Sequence, residues 1–345
     1  MKKMRGVFTA IVTPFDDRGL VNFEFYRKLI KFNLACGVDG IVIAGTTGES
    51  PTLDFETHKR LIRLGVEETK GKCFCIAGTG SNNLQEAVEL SKYATEQKVD
   101  GLLLVDPYYN GPSSYEIMNE YIIPIARACP VEIIPYIVPG RTGCELLPEH
   151  LALLNENFSN LNTVKIAAGS LKKMAKIRTL CGPEFTILSG DDDLTAEAMK
   201  RKDIKADGTI SVMSNLFPQA VVNMAHLYLH EAINDADQFA RYLEPVFKAV
   251  NVMTAEETKY GNIVHKSRNP VPVKSMMRLL NLPVGGCLRP LGKMTPKGAE
   301  VIIKALTRVY QHHPHGFKKI NNFFKTDAEA YLATKELLPF ITYLQ

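Results

Sequence analysis

Eight short apolar runs, each followed by a polar or helical segment, are the feature that most constrains the fold of this chain. The runs are nearly continuous in apolar residues, which is typical of strands buried on both faces. They are GVFTAIV (6–12), GIVIAG (40–45), CFCIAG (73–78), GLLLVD (101–106), VEIIPYIV (131–138), NTVKIAA (162–168), FTILSG (185–190) and GTISVM (208–213). Eight strand–helix units over about 230 residues predict an α/β fold, the (β/α)8 TIM barrel.

A doubly wound open parallel sheet is the alternative architecture. Such sheets usually have fewer strands and carry a phosphate-binding loop after the first strand. The segment TPFDDRG (13–19), which follows the first apolar run, is no such loop. The closed barrel is therefore favoured.

The chain divides into three predicted regions. Residues 1–217 form the barrel with the active site, 218–311 form a C-terminal helical region, and 312–345 form an extra tail with one helix. The strand signal stops near 218, and helical period continues to about 257. HHPHGFKKINNFF (312–324) breaks the helical pattern, and its HHPH (312–315), with His312, His313 and His315, predicts a solvated linker rather than a metal site. The last helix, TDAEAYLATKELLPF (326–340), has Thr326 and Glu329 at capping-box spacing.

The charge balance of the chain indicates which partners it can bind, and its cysteine content indicates its redox compartment. With 41 basic and 37 acidic residues, the net charge of +4 gives no reason to expect a nucleic-acid or membrane partner. No apolar run reaches the roughly 18 residues of a membrane span. The first residues are read as a strand rather than a secretory signal. The seven cysteines have no paired spacing and predict buried thiols in a reducing cytoplasm.

Lys165 is the most informative polar residue. Barrels of this kind place their active sites at the C-terminal ends of the strands, and Lys165 lies in the sixth run between Val164 and Ile166. Burial there disfavours the ammonium form, and a neutral amine can attack a ketone to form a Schiff base. The alternative is a lysine that extends to the solvent rim or pairs with a carboxylate.

Hydroxyl groups gather at the same predicted end of the barrel. Thr46 and Thr47 lie in GTTGE (45–49), Tyr109 follows the fourth run, and Tyr136 lies in the fifth. Such hydroxyls can relay the protons that imine chemistry requires, and amides of a glycine-rich turn suit a carboxylate. The alternative for GTTGE is a plain strand-to-helix turn with a threonine N-cap.

A set of motifs spanning residues 5 to 311 resembles a known superfamily. They are GTTGES, AGTG, PYYNGPS, YIVPGRTG, VKIAAGS, LSGDDD, GTISV and NPVPVKSMMRLLNL. The set resembles the pyruvate-dependent class I aldolases, the superfamily of dihydrodipicolinate synthase and N-acetylneuraminate lyase. Its order and spacing are most similar to the dihydrodipicolinate synthase branch.

The resemblance implies a lyase that condenses pyruvate with L-aspartate 4-semialdehyde through a Schiff base. The product would be 4-hydroxy-tetrahydrodipicolinate, on the route to lysine and diaminopimelate. It implies that Lys165 forms the imine, so that no cofactor is needed. It further implies that Tyr136, Thr46 and Tyr109 form the proton relay, with Tyr109 reaching into a neighbouring subunit's site.

Four further residues receive binding roles from the resemblance. Thr47 would hold the pyruvate carboxylate, Arg141 would meet the aldehyde, and Gly190 and Ile210 would line the pocket. Arg141 separates this branch from sialic-acid lyases, which typically lack it. The resemblance also implies a homo-oligomer, a dimer or a tetramer built from two tight dimers.

A second, inhibitory site for lysine is implied at the dimer interface. The positions that match it or stand at it are Ser50, Pro51, Phe55, His58, Asn82, Glu86 and Tyr108. Phe55 stands where some inhibited members have histidine. The alternative for His58 and Glu86 is an ordinary polar pair on the surface.

Three residues depart from the family pattern. Ile166 replaces a usual acidic residue, Ile137 replaces a usual asparagine, and Pro135 lies inside the fifth strand, where it removes a backbone donor. These departures keep two alternatives open. One is a related lyase acting on another aldehyde or a sugar acid, against which Arg141 argues, and the other is a non-catalytic barrel that binds a keto acid.

Overall fold

The computed structural model describes residues 3–343, and its centre is a closed barrel of eight parallel strands in chain order. The strands are β1 (Gly6–Ala10), β2 (Gly40–Ile43), β3 (Phe74–Gly78), β4 (Gly101–Val105), β5 (Glu132–Ile137), β6 (Thr163–Ile166), β7 (Thr186–Ser189) and β8 (Gly208–Ser211). β1 closes the barrel by pairing with β8 in parallel, with Phe8 opposite Ile210. The predicted (β/α)8 barrel is confirmed.

Helices connect successive strands and cover the outside of the barrel. They are α1 (Phe23–Ala35), α2 (Phe55–Thr69), α3 (Leu84–Glu96), α4 (Ser114–Glu116), α5 (Ile123–Ala128), α6 (Pro139–Thr142), α7 (Pro148–Asn157), α8 (Leu171–Cys181) and α9 (Asp192–Lys200). A π-helical segment, Ile117–Ile122, joins α4 to α5. Helical crossovers between parallel strands bury both faces of every strand, which explains the continuous apolar runs.

Helix α1 shows how the sequence defines these elements. The Asn22 side chain caps its first turn by accepting a hydrogen bond from the Phe25 amide at 3.0 Å. Phe25, Leu29 and Phe32 are buried at helical spacing. Gly37 follows the helix with a φ of +79°, a left-handed conformation that glycine adopts without strain.

Two apolar cores lie on the two sides of the barrel wall. The larger one fills the space between strands and helices. The smaller one fills the barrel interior and comprises Met4, Phe8, Ala10, Val42, Ile76, Leu103, Ile134, Tyr136, Val138, Leu188 and Ile210. Strand residues alternate between the two cores with period two. The interior is therefore packed, and open space remains only at the ends of the strands.

The region after the barrel contains four helices and a β-hairpin. The helices are α10 (Pro218–Leu229), α11 (Ile233–Lys248), α12 (Val271–Leu279) and α13 (Pro296–His312), as the helical period predicts. The hairpin consists of antiparallel β9 (Val252–Thr258) and β10 (Gly261–Ser267). The prediction that helical period continues to about 257 is wrong for β9. Its Met, Ala and Glu residues are good helix formers, but burial along VMTAEET alternates with period two.

The tail contains three helices rather than one. They are α14 (Pro314–Phe324), α15 (Ala328–Thr334) and α16 (Leu338–Ile341). The prediction of a solvated linker at 312–315 is wrong, because α14 begins at Pro314. In this helix Phe317 is fully buried, and Phe324 packs on Phe25 and Phe32 at ring distances of 5.6 and 4.8 Å. The His313 ring stacks on Tyr242 at 3.7 Å. Residues 3–343 contain no cluster of three or more potential metal ligands.

The predicted capping box of the tail is also absent. The N-cap of α15 is Asp327, whose carboxylate accepts a hydrogen bond from the Ala330 amide at 3.1 Å. Glu329 instead accepts from the Asn321 side chain, and Thr326 donates to the Leu280 carbonyl at 3.3 Å. The tail is thereby tied to the C-terminal helices. None of the helices within 3–343 has the length and apolarity needed to cross a bilayer.

Candidate active site

A cavity of about 310 Å³ opens at the C-terminal ends of the barrel strands. It is lined by Thr47, Tyr136, Val138, Gly140, Arg141, Lys165, Ala167, Gly190, Asp191, Asp192, Asp193, Val212, Phe247, Lys248, Val250, Asn251, Lys266, Arg268 and Asn269. A larger hollow of about 1070 Å³ lies at the opposite end, around Lys3 and Asp39, and a smaller one of about 210 Å³ lies under the tail. The predicted chemical groups converge on the first cavity, which is where barrels of this class place their sites.

Lys165 lies on β6 and is only 5% exposed. It stands directly opposite Tyr136 of β5 in the strand register, and its Nζ lies 4.0 Å from the centre of the Tyr136 ring. Within residues 3–343 it forms no ion pair with a carboxylate. The alternative of a rim-extended or carboxylate-paired lysine is therefore wrong, and the amine is placed to meet a ligand in the cavity.

Gly190 has no side chain, and this makes room for the side chain of Lys165. A Cβ atom at position 190 would lie 2.7 Å from Lys165 Cε and 2.9 Å from the Ala167 Cβ. Its amide donates to the Ile166 carbonyl at 2.7 Å, so the backbone cannot move away without losing that bond. Any larger residue at 190 would push the amine out of position.

Asp191 is a residue of the cavity to which sequence reasoning gave no role. Its carboxylate accepts a hydrogen bond from the Gly169 amide at 2.9 Å, and burial raises its pKa, an effect that the nearby positive Lys165 partly offsets. Asp192 accepts from the amides of Val212 and Met213, both at 3.0 Å, and burial raises its pKa to about 6. The run of three acidic residues after the seventh strand was the sequence signal for them.

The GTTGE segment forms a tight 3-10 turn, Thr46–Gly48. Thr47 is 2% exposed, and its hydroxyl oxygen accepts a hydrogen bond from Asn269 Nδ2 at 2.9 Å. The hydroxyl proton of Thr47 remains available to an acceptor in the cavity. The alternative of a threonine helix cap is wrong, because α2 begins at Phe55 and is capped by Asp54.

Asn269 is the second residue that sequence reasoning missed. It lies in NPVPVK, is 7% exposed, and its Oδ1 has no hydrogen-bond partner in the described structure. A buried acceptor without a partner is costly, so its presence beside Thr47 indicates a polar group for a ligand. Only the closed fold brings positions 47 and 269 together.

A buried ion pair between Glu49 and Lys274 holds the same turn in place. The Glu49 carboxylate accepts from Lys274 Nζ on α12 at 2.8 Å, and the side chains are 0% and 2% exposed. Glu49 has a φ of +64°, and its second oxygen accepts from the Leu288 amide at 2.7 Å. Lys274 also donates to the Thr13 carbonyl at 2.9 Å. These contacts fix the turn that carries Thr47.

Arg141 lies on α6, at the mouth of the cavity. Its Nη2 donates to the Asn269 carbonyl at 2.8 Å, and Arg268 Nη1 donates to the Gly140 carbonyl at 2.6 Å. Both bonds join the segment after β5, which carries Gly140 and Arg141, to the segment after the hairpin, which carries Arg268 and Asn269. This reciprocal pair holds Arg141 beside the cavity.

Three predicted site residues lie outside the cavity of the single chain. Thr46 is half-buried in the same turn as Thr47, and Ile210 belongs to the packed barrel interior. Tyr109 is 90% exposed and has a φ of +84°, a left-handed conformation that is uncommon for a tyrosine. The structure thus brings together five of the eight predicted residues: Lys165, Tyr136, Thr47, Arg141 and Gly190.

Some residues of the expected lysine site are buried and others are exposed. His58 on α2 is buried, its Nε2 lies 2.8 Å from the Gly78 carbonyl, and burial lowers its pKa to about 4. It does not pair with Glu86, which accepts from Ser81 Oγ at 2.8 Å. The alternative of a surface His58–Glu86 pair is therefore wrong. Burial raises the pKa of the Tyr108 phenol, and negative Glu86 nearby adds to that shift.

The other positions of that set lie at the start of α2, in the turn before it and before α3. Ser50 and Pro51 form the 3-10 turn Ser50–Thr52, Phe55 opens α2, and Asn82 is exposed immediately before the N-cap of α3.

Two departures from the family pattern face away from the cavity. Ile137 and Ile166 are fully buried in the core between the barrel and its helices, whereas Tyr136 belongs to the interior. The alternation of strand side chains places them on the outer face. Pro135 lies inside β5 opposite Leu104 of β4. These isoleucines leave the chemical groups of the cavity untouched, which removes much of the motive for a non-catalytic barrel.

Comparison with known proteins adds independent evidence. The profile of the Dihydrodipicolinate synthetase family matches residues 3–309. The chain is 40% identical over 273 residues to the 4-hydroxy-tetrahydrodipicolinate synthase of Leptospira biflexa, covering 79% of this chain and 86% of that one. It is 38% identical over 291 residues to the synthase of the same name from Methanococcus aeolicus, covering 84% and 94%.

Solved structures show the same similarity. The 4-hydroxy-tetrahydrodipicolinate synthase of Methylacidiphilum fumariolicum SolV superposes with a TM-score of 0.83 at 33% identity, covering 92% of this chain and 99% of that one. The Acinetobacter baumannii dihydrodipicolinate synthase complexed with pyruvate has a TM-score of 0.80 at 29% identity, with coverage of 89% and 99%. The Cyanidioschyzon merolae enzyme with lysine bound has 0.79 at 32%, with 88% and 98%.

Proposed function

The chain belongs to the dihydrodipicolinate synthetase family, and from this premise we propose that it condenses pyruvate with L-aspartate 4-semialdehyde through a Schiff base on Lys165. The family and its curated relatives make it a lyase of lysine and diaminopimelate biosynthesis. The observation that carries the Schiff-base step is the Lys165 amine, buried in a cavity shared with Thr47 and Arg141 and paired with no carboxylate among residues 3–343.

The chemistry proceeds in balanced steps. Once it has given up a proton, the amine of Lys165 attacks the keto carbon of pyruvate, and the resulting carbinolamine loses water to form an iminium ion. Loss of a proton from the pyruvate methyl group gives an enamine, whose carbon attacks the carbonyl carbon of the aldehyde. This attack regenerates the iminium ion, and the new alkoxide takes up a proton. The amine of the aldehyde substrate then attacks the iminium carbon, and the Lys165 amine leaves as the ring of the product closes. The chain supplies its own electron sink, so the proposed reaction uses no added cofactor.

Each neighbouring group has one task in this scheme. The Thr47 hydroxyl and the amides of its turn bind the pyruvate carboxylate. The Tyr136 hydroxyl transfers protons to and from the carbinolamine, in a relay with Thr46 and with Tyr109 of a neighbouring copy of the chain. Gly190 keeps the amine in place, and Ile210 supports the cavity floor from the barrel interior.

The test is to trap the imine. The protein is incubated with pyruvate, reduced with borohydride, digested and mapped by mass spectrometry. We expect one reduced pyruvate adduct, on the peptide that contains Lys165. Folded protein that carries no adduct would overturn the proposal and favour a non-catalytic barrel that binds a keto acid.

Arg141→Ala is expected to separate the two substrates. Arg141 approaches the cavity from its mouth, and its charged contact with the aldehyde carboxylate contributes about 1.5–3 kcal/mol. We therefore expect the KM for aspartate semialdehyde to rise by about tenfold or more, while the yield of the pyruvate adduct stays unchanged. Steady-state kinetics and borohydride trapping measure the two effects. An equal loss of adduct would assign Arg141 to the imine step, and turnover of a sugar acid in preference would identify a related lyase.

The exposed Tyr109 is the basis for proposing a homo-oligomer. A tyrosine that is 90% exposed and held at a φ of +84° is poorly explained within one chain. We expect a dimer or tetramer in which this ring completes the neighbouring site. Sedimentation velocity combined with activity tests the assembly, and a fully active monomer would contradict it.

Feedback inhibition by lysine is proposed for the group around His58 and Tyr108. A structural neighbour from Cyanidioschyzon merolae was solved with lysine bound. The set comprises Ser50, Pro51, Phe55, His58, Asn82, Glu86 and Tyr108. Inhibition of the condensation by free lysine, relieved by Glu86→Ala, is the expected result, and inhibition that survives this change unaltered would place the site elsewhere.

A further inference from the structure

The mouth of the active-site cavity carries three cations that have no anionic partner within residues 3–343. Arg141, Lys266 and Arg268 line the cavity, and none of them forms an ion pair with a carboxylate in the described part of the chain. Lys248 also lines it but is paired with Glu244 at 2.6 Å. Unpaired charges grouped at a concave surface create a field that concentrates anions.

The acidic residues of the cavity do not neutralise this group. Asp191 and Asp192 come from the segment after β7 and are hydrogen-bonded to backbone amides. Asp193 lies in the first turn of α9 and is exposed. All three lie at the start of α9, Asp191 as its N-cap and the other two in its first turn, whereas the three cations lie on α6 and at the end of the hairpin.

The base of the β9–β10 hairpin positions two of the cations. Val252 pairs with Ser267 at the base of the hairpin, and the residues on either side of this pair, Asn251 and Arg268, both line the cavity. Lys266 is exposed on β10, and Arg268 is half-buried. The hairpin thus places the positive charges of Lys266 and Arg268 at the entrance of the cavity, while its tip is exposed to solvent.

Arg268 has donors to spare for a ligand. One nitrogen, Nη1, holds the Gly140 carbonyl at 2.6 Å. A guanidinium offers five N–H groups, and its planar fork matches a carboxylate. Its bond to Gly140 also restrains the segment that carries Arg141. The residue can therefore bind an anion and keep the neighbouring arginine in place.

We propose that Lys266 and Arg268, supplied by the hairpin, form with Arg141 a cationic rim that selects an aldehyde substrate carrying a carboxylate. This inference rests on the proposed condensation and names two further specificity residues for it. The rim acts on the second substrate, because the pyruvate carboxylate is already assigned to the Thr47 turn deeper in the cavity.

The experiment compares Arg268→Gln and Lys266→Gln with the full-length parent. Lys259→Gln is the matched control, since Lys259 lies on the same hairpin, carries the same charge and does not line the cavity. Three quantities are measured for each: the KM for aspartate semialdehyde, the yield of pyruvate adduct on Lys165, and the Kd of succinate by calorimetry. Succinate is an unreactive dicarboxylate of the same carbon length, so its binding reports on the rim without turnover.

We expect Arg268→Gln to raise the KM for the aldehyde and the Kd of succinate by about tenfold, as for loss of a charge-assisted bond. Lys266→Gln should raise both severalfold, with adduct yield unchanged in each case and Lys259→Gln matching the parent. Unchanged KM and Kd in both variants, or an equal effect of Lys259→Gln, would overturn the rim. If Arg268→Gln does not fold, Lys266→Gln on its exposed strand decides alone. Absence of adduct in the parent would refute the imine mechanism, and the succinate comparison would still test the rim.

Discussion

Replacing Lys165 with methionine should abolish the pyruvate adduct and lower kcat by about a thousandfold or more, a barrier increase of about 4 kcal/mol. Methionine keeps an unbranched side chain of similar length in a site that is 5% exposed, so packing against Tyr136 is largely retained. What is lost is the amine that forms the imine with pyruvate. Borohydride trapping and steady-state kinetics measure the two effects.

A matched control separates chemistry from folding. Lys172 lies exposed on α8, and Lys172→Met should leave both adduct and kcat near the parent values. The melting temperature of Lys165→Met should stay within a few degrees of the parent or rise, because a buried lysine is costly to desolvate. An adduct that persists in Lys165→Met would show that another amine carries the reaction.

Much of the barrel could be predicted because its signals are local. Each strand is a continuous apolar run, and each polar cluster follows a run directly, so Lys165, Tyr136 and Thr47 could be assigned to one end of the barrel. The outward direction of Ile137 and Ile166 was also available from the alternation of strand side chains. Tyr136 lies opposite Lys165 in the register of β5 and β6. The residues that follow them, Ile137 and Ile166, are therefore also opposite each other and share one face of the sheet.

The rest depended on contacts distant in sequence. Asn269 reaches Thr47 across 222 positions, and nothing near NPVPVK indicates that partner. The hairpin was missed because Met, Ala and Glu of β9 favour helices, while its fold is set by pairing of β9 with β10. The start of the tail was misread because HHPH suggests a linker, whereas Phe317 and Phe324 are spaced by two helical turns and pack on Tyr310 of α13 and Phe25 of α1.

Replacing Lys274 with methionine should destabilise the protein by about 3–5 kcal/mol, the usual cost of leaving a buried charge without its partner. Glu49 is fully buried and would keep the Leu288 amide and the Cys287 thiol as donors to its carboxylate, neither of which carries a positive charge. The carbonyl of Thr13 would also lose its bond from Lys274. Urea unfolding, followed by circular dichroism, measures the change as a lower midpoint.

The double variant Glu49→Gln/Lys274→Met distinguishes the lost partner from lost packing. A neutral amide removes the uncompensated charge, so the double variant should recover most of the stability that Lys274→Met loses. Because Glu49 ends the turn that carries Thr47, the single variant should also weaken pyruvate binding more than it changes the aldehyde KM. A cost below about 1 kcal/mol for Lys274→Met would mean that water reaches Glu49 and that the turn is held by its backbone alone.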